Sequence, residues 1–227
     1  RPTYPIGGLR SIPILNGFPS QGIIRMQAGD VSNDSSLDSE ASAVRSALGR
    51  TIDKDGSADI ARANVTVLVD KTASMKASTS RETFDLMCSF ATGVLSVVSQ
   101  GRSIHVMTSS ATDPKVRVAN PEEISKLSEK YAPVREVGWN SDLHQISPDD
   151  ALVVISDDIP AEILKLSNNL HVLSSRKPLV EHGTSTTYFD PVLINAIKNH
   201  DQRLLAGPVH QMFNALTSVA RREDPTT

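Results

Sequence analysis

Apolar positions along this chain alternate between the periods of buried strands and of one-sided helices. Val65, Thr66, Val67, Leu68 and Val69 form a β-branched, nearly all-apolar run, the pattern of a strand covered on both faces. From Arg81 to Gln100 the period lengthens. Phe84, Met87, Cys88, Ala91, Val94, Leu95 and Val98 recur every three or four residues and predict a helix with one apolar face. Thr79 or Ser80 can cap it, Glu82 suits its first turn and Gly101 stops it. Ser103–Thr108 returns to the strand pattern, so the three segments predict a parallel, right-handed strand–helix–strand unit. Ala151–Ile155 and Leu170–Leu173 are two further buried runs. Helices are expected at 39–48, 121–131, 160–166, 191–205 and 209–222, with Gly207-Pro208 breaking the chain between the last two. The stretch 76–80 reads as a linker, 113–120 as a loop or hairpin, 134–137 as a short strand and 176–187 as a loop. Alternating strands and helices predict an α/β domain, three-layered and doubly wound around a mainly parallel sheet.

The first 29 residues differ from this core. Pro2, Pro5, Pro13 and Pro19, with five glycines, interrupt short apolar pieces such as Ile12–Leu15. That spacing predicts an extended arm that packs on a surface, adding an edge strand, or docks on a partner. A Ser/Asp/Asn-rich loop over 31–39 follows. Asp53–Ile60 resembles the opening of an EF-hand loop, but Ala58 takes the glycine position and Asn64 the closing glutamate position, so an acidic turn is the better reading. The expected division is an arm and helix over 1–60, an α/β domain over 61–206, and a C-terminal helix and polar tail over 207–227.

Composition narrows the classes. A length of 227 residues suits one sizeable domain with additions, and a net charge of −3 gives no electrostatic case for nucleic acid. Aromatics make up only 4% of the chain, too few for a base-stacking platform. The single cysteine, Cys88, cannot form an intrachain disulfide and reads as a small buried hydrophobe. No stretch reaches membrane-spanning length and no signal peptide is visible, so a cytoplasmic protein is expected. The chain opens on Arg1 rather than Met, as a fragment or processed product would.

Chemistry concentrates where the first buried run ends, at Asp70-Lys71-Thr72-Ala73-Ser74-Met75. A carboxylate and two hydroxyls at the carboxyl end of a buried strand can converge above the sheet edge, where open α/β sheets bind ligands. Oxygen-only donors suit a hard cation such as Mg²⁺. The same residues also suit a strand-end aspartate capping the next helix, with Thr72 and Ser74 as turn formers.

Val-Asp-Lys-Thr-Ala-Ser-Met resembles the first metal loop of von Willebrand factor A (vWA) domains, Asp-x-Ser-x-Ser, with Thr72 in place of the first serine. The resemblance spans about Asn64 to Leu205. It implies a Rossmann-like sheet and a metal site of the MIDAS type holding Mg²⁺ or Mn²⁺. Gly138-Trp139-Asn140-Ser141-Asp142-Leu143 is similar to the family's second loop, which makes Ser141 its hydroxyl. Val153–Asp157 is similar to the third, which makes Asp157 its carboxylate. The implied ligand set is therefore Asp70, Thr72, Ser74, Ser141 and Asp157. This chain departs from the family between the second and third loops. A helix usually intervenes there, yet only Asp142–Asp150 is available and Pro148 breaks it.

Enzyme patterns are weak by comparison. A dehalogenase-like phosphatase needs an acid where Thr72 stands. No Gly-x-Ser-x-Gly elbow, phosphate-cradling glycine loop or His-x-x-x-His pair occurs. His182, beside Gly183 in a loop, is the one histidine placed as a catalytic group would be. The expectation is a non-catalytic protein-binding module or scaffold in a larger assembly, whose Mg²⁺ accepts a carboxylate from a protein partner, with homo- or hetero-oligomers possible. The alternatives are a metal-free structural subunit of a multiprotein, ribonucleoprotein or viral particle, and a Mg²⁺-dependent hydrolase.

Overall fold

The computed structural model describes residues 37–49, 64–99, 102–113, 115–118, 120–124, 139, 142–178 and 183–222. The expected arm, the EF-hand-like segment, most of the 121–131 helix, the 134–137 strand, Ser141, His182 and the tail lie outside the described residues. The chain divides into two units, Arg1–Leu37 and Asp38–Thr227, and all the described helices and strands belong to the second.

Its elements in order are α1 (Ser39–Leu48), β1 (Val65–Val69), α2 (Ala73–Ser78), α3 (Arg81–Val98), β2 (Ile104–Thr108), β3 (Val116–Val118), β4 (Ala151–Ser156), β5 (Asn169–Ser174), β6 (Thr186–Tyr188), α4 (Pro191–Lys198) and α5 (Gln202–Arg222), with 3₁₀ turns at Leu143–Gln145 and Ile163–Lys165. The six strands form one sheet in the order β3-β2-β1-β4-β5-β6. All neighbours are parallel except β3, within the stretch read as a loop or hairpin, which runs antiparallel to β2. The order reverses between β1 and β4, as in Rossmann-like sheets. In register, Val69 stands opposite both Thr108 and Ile155. Three strands thus end together, and the residues following them share one edge.

The all-apolar runs follow from burial on both faces. Val65, Val67, Val69, Ile104, Val106, Val153 and Ile155 pack beneath residues of α1, α3, α4 and α5. Leu68, Met107, Leu152, Val154 and Leu170 face the other way, against Ile146 and Ile163 from the 3₁₀ segments and the half-buried Trp139. Burying both faces removes the alternation that marks a one-sided sheet. On the helical face α1 crosses α3 at Gly93. A Cβ there would stand 2.6 Å from the Ala41 carbonyl oxygen and 2.7 Å from the Val44 Cβ, so glycine permits the approach. Phe90 of α3 meets Phe189 edge-on, with ring centroids 5.5 Å apart. Cys88 is buried in this core, and burial pushes its thiol up. His171 of β5 is fully buried between the Ser185 and Thr187 hydroxyls, 2.8 Å from each, and burial lowers its pKa to about 3. No helix of the described residues is long and apolar enough to cross a membrane.

Several expected elements are corrected. The 76–80 linker is largely α2, which continues to Ser78 and is capped by Thr72. The 160–166 helix shrinks to the 3₁₀ turn Ile163–Lys165. The 176–187 loop contains the start of β6, whose three residues pair with Val172–Ser174. The single helix over 191–205 is two. Its break is a Schellman turn, with Asp201 N–H donating to the Ala196 carbonyl at 2.8 Å and His200 N–H to that of Ile197 at 3.2 Å. His200 takes the left-handed position at φ 55° where glycine is usual, so no glycine marks the break. Gly207-Pro208 does not break the chain, for Pro208 lies inside α5. Leu205, Val209, Met212, Phe213 and Leu216 form one buried stripe, and that burial outweighs the one main-chain bond Pro208 cannot donate.

Candidate functional site

The shared carboxyl edge of β1 and β4 carries the candidate site. Asp70 follows β1 and is fully buried, its N–H bonded to the Ile155 carbonyl at 2.9 Å. One carboxylate oxygen accepts the Thr72 N–H at 2.7 Å, a turn that an aspartate at a strand end forms readily. The other accepts the Ser156 hydroxyl at 2.6 Å, from the last residue of β4. That hydroxyl also lies 2.8 Å from the Asp158 carbonyl oxygen. Burial is the largest influence on Asp70 and raises its pKa to about 6. The bonds from Ser156 and Thr72 pull the other way, and the charge of Asp157 adds to the rise.

Thr72 caps α2, its hydroxyl accepting the Met75 N–H at 3.4 Å. This is the capping role that these residues also allowed. The cap leaves the same hydroxyl 3.0 Å from the Ser74 hydroxyl. Ser74 in turn donates to Asp157 Oδ1 at 3.3 Å across 83 positions of sequence. Asp157 is 4% exposed, and among the described residues its Oδ2 has no hydrogen-bond partner. Among the described residues the opposite charge beside it is Arg176 Nη1, just after β5, at 3.7 Å. Lys71 points elsewhere, to Asp113 at 2.7 Å, and Asp113 also accepts the Thr108 hydroxyl at 2.8 Å.

Four of the five expected ligands, Asp70, Thr72, Ser74 and Asp157, therefore meet at one edge, and Ser141 lies outside the described residues. The donors are carboxylate and hydroxyl oxygens, the set a hard cation takes. An octahedral Mg²⁺ with ligands at about 2.1 Å sets neighbouring ligand oxygens about 3.0 Å apart, and the Thr72–Ser74 and Ser74–Asp157 separations of 3.0 and 3.3 Å are close to that edge length. The buried, unbonded Asp157 Oδ2 is an anionic atom that such an ion would satisfy. Among the described residues no three His, Cys, Asp or Glu side chains cluster to hold a metal, so any ion here depends on hydroxyls.

Sequence reasoning missed two participants. Ser156 was visible only as a polar end to an apolar run, and its bond to Asp70 follows from the β1–β4 register. Arg176 carries no local signal, because its approach to Asp157 depends on β5 pairing with β4. Comparisons with family models, curated proteins and solved structures find no match to this chain.

Proposed function

We propose that this chain is a vWA-like, three-layered and doubly wound α/β module that binds a protein partner through Mg²⁺ or Mn²⁺. Asp70, Thr72, Ser74 and Asp157 would hold the ion, with Ser141 the candidate fifth ligand. When bound, the ion supplies an open coordination position for an acidic side chain of the partner, suiting a scaffold in a larger assembly. The observation that carries the reading is the meeting of Ser74 with Asp157, whose second carboxylate oxygen is buried without a hydrogen bond. A strand-end cap alone explains Thr72 but gives no reason for that oxygen to be buried there. The rigid sheet fixes the donors: Asp70 is tied to β4 through Ser156 and the Ile155 carbonyl, so the β1–β4 pairing sets the distance between the two acidic loops.

A second reading, a metal-free structural subunit, is favoured by one feature. Both Asp70 oxygens already accept protein donors, and Arg176 stands beside Asp157. Calorimetric titration of Mg²⁺ and Mn²⁺ into wild type and Asp70→Ala separates the two readings. Saturable heats in wild type that vanish in the variant support the metal module. Equal, negligible heats in both support the structural subunit.

A further inference from the structure

We infer that Arg176 is a tethered rival of the cation, pairing with Asp157 in the metal-free protein and setting how tightly the site takes Mg²⁺. The inference rests on the proposed metal site. The backbone at Ser175 and Arg176 is held by neighbouring groups. Ser175 N–H bonds to the Ser156 carbonyl at 3.1 Å, and the Ser175 hydroxyl meets that of Thr79 at 2.6 Å. The Ser174 hydroxyl takes the Arg176 N–H at 3.3 Å and lies 2.6 Å from its carbonyl oxygen. The side chain is held far less. It is 46% exposed, and its Nη1 stands 3.7 Å from Asp157 Oδ2, beyond hydrogen-bond length. A guanidinium placed for structure makes a paired fork on a carboxylate at about 2.8 Å. A single long approach from a half-exposed side chain is instead that of a counter-ion free to leave. The oxygen it approaches is the buried one without a hydrogen bond. An ion bound at Asp157 and a guanidinium on the same oxygen repel, so binding the ion displaces Arg176 toward solvent.

The test uses the full chain, with Arg176→Gln and Arg176→Lys, titrated with Mg²⁺ and Mn²⁺ by calorimetry and melted with chelator and with Mg²⁺. Arg176→Gln should tighten Mg²⁺ binding roughly threefold to tenfold, as expected of one partly exposed charge near the ion, with less gain at high salt. Arg176→Lys keeps the charge and should stay nearer wild type. In chelator, Arg176→Gln should melt lower than wild type, because Asp157 loses its counter-ion, and Mg²⁺ should raise its melting temperature by more than it raises that of wild type. In an Asp157→Asn background, where Arg176 has no carboxylate to pair with, the gain from the Arg176 substitution should shrink. A wild-type Mg²⁺ affinity that Arg176→Gln leaves unaltered or weakens overturns this inference alone. No metal response in wild type or in any variant overturns the metal reading, and this inference with it.

Discussion

Replacing Asp70 by Asn should make the metal-free protein more stable at neutral pH. The Asp70 carboxyl has its folded pKa raised from 3.8 to about 6, chiefly by burial. Well below pH 3.8 both states are protonated at this residue and it contributes nothing. Between pH 4 and 6 the unfolded chain ionises first, so the folded state holds more protons and stability falls as pH rises. Above pH 6 the penalty is complete. At about 1.4 kcal/mol per unit of pKa it reaches about 3 kcal/mol. Asparagine fits the same network. Its carbonyl can accept the Thr72 N–H, and its amide can donate to Ser156, whose proton then turns to the Asp158 carbonyl already 2.8 Å away. The wild-type-to-Asn difference should therefore be near zero at pH 4 and open through pH 6. At pH 7.5 in chelator it should plateau at about 2–3 kcal/mol in favour of Asn, roughly 5–10 °C in Tm for a domain of this size. Mg²⁺ should narrow or reverse the gap, because the ion favours ionised Asp70 and gains little from the amide. Urea unfolding across pH 4–8, with and without Mg²⁺, measures each quantity. An Asn variant less stable than wild type throughout, or a difference that does not change with pH, would mean that buried Asp70 carries no ionisation penalty.

Ser156→Ala removes the hydroxyl that stabilises ionised Asp70 and should push its pKa above 6. Carboxyl NMR titration reads this directly, and an unchanged or lower value counts against the hydrogen bond. Gly93→Ala forces a methyl into the α1–α3 crossing and should cost about 3 kcal/mol in urea denaturation, whereas an unchanged midpoint would mean that the helices separate freely. His171→Gln should flatten the acid limb of stability. The folded histidine stays neutral down to about pH 3 while the unfolded one takes up a proton near 6.5, so wild type loses stability as pH falls through that window. A variant with the same slope as wild type there would exclude His171 as a source of acid sensitivity.

The strand core was legible because both its faces are covered. Val65–Val69 and Ala151–Ile155 show no alternation to confuse the period, and their β-branched residues and acidic ends set off β1 and β4 cleanly. α1 was legible from its helix formers and Gly49, and α3 from a single apolar stripe and an N-cap serine. The misread elements depend on tertiary contacts. β6 has only three residues and two threonines, and it becomes a strand by pairing with β5. The α4–α5 break uses a histidine in a left-handed conformation, and Pro208 persists inside α5 because the buried stripe around it decides the outcome. At the site, the local spacing of Asp70, Thr72 and Ser74 could be read directly. Asp157 was reached through a family resemblance. Its distance from Ser74, and the roles of Ser156 and Arg176, follow only from strand order.

Crystals of the full chain grown with Mn²⁺ and measured for anomalous scattering would locate an ion at the site. A metal module should give one anomalous peak at the carboxyl edge between β1 and β4, ligated by the Thr72 and Ser74 hydroxyls and the Asp70 and Asp157 carboxylates, with Arg176 turned away from Asp157. No peak there at saturating Mn²⁺, with Arg176 still on Asp157, would contradict it.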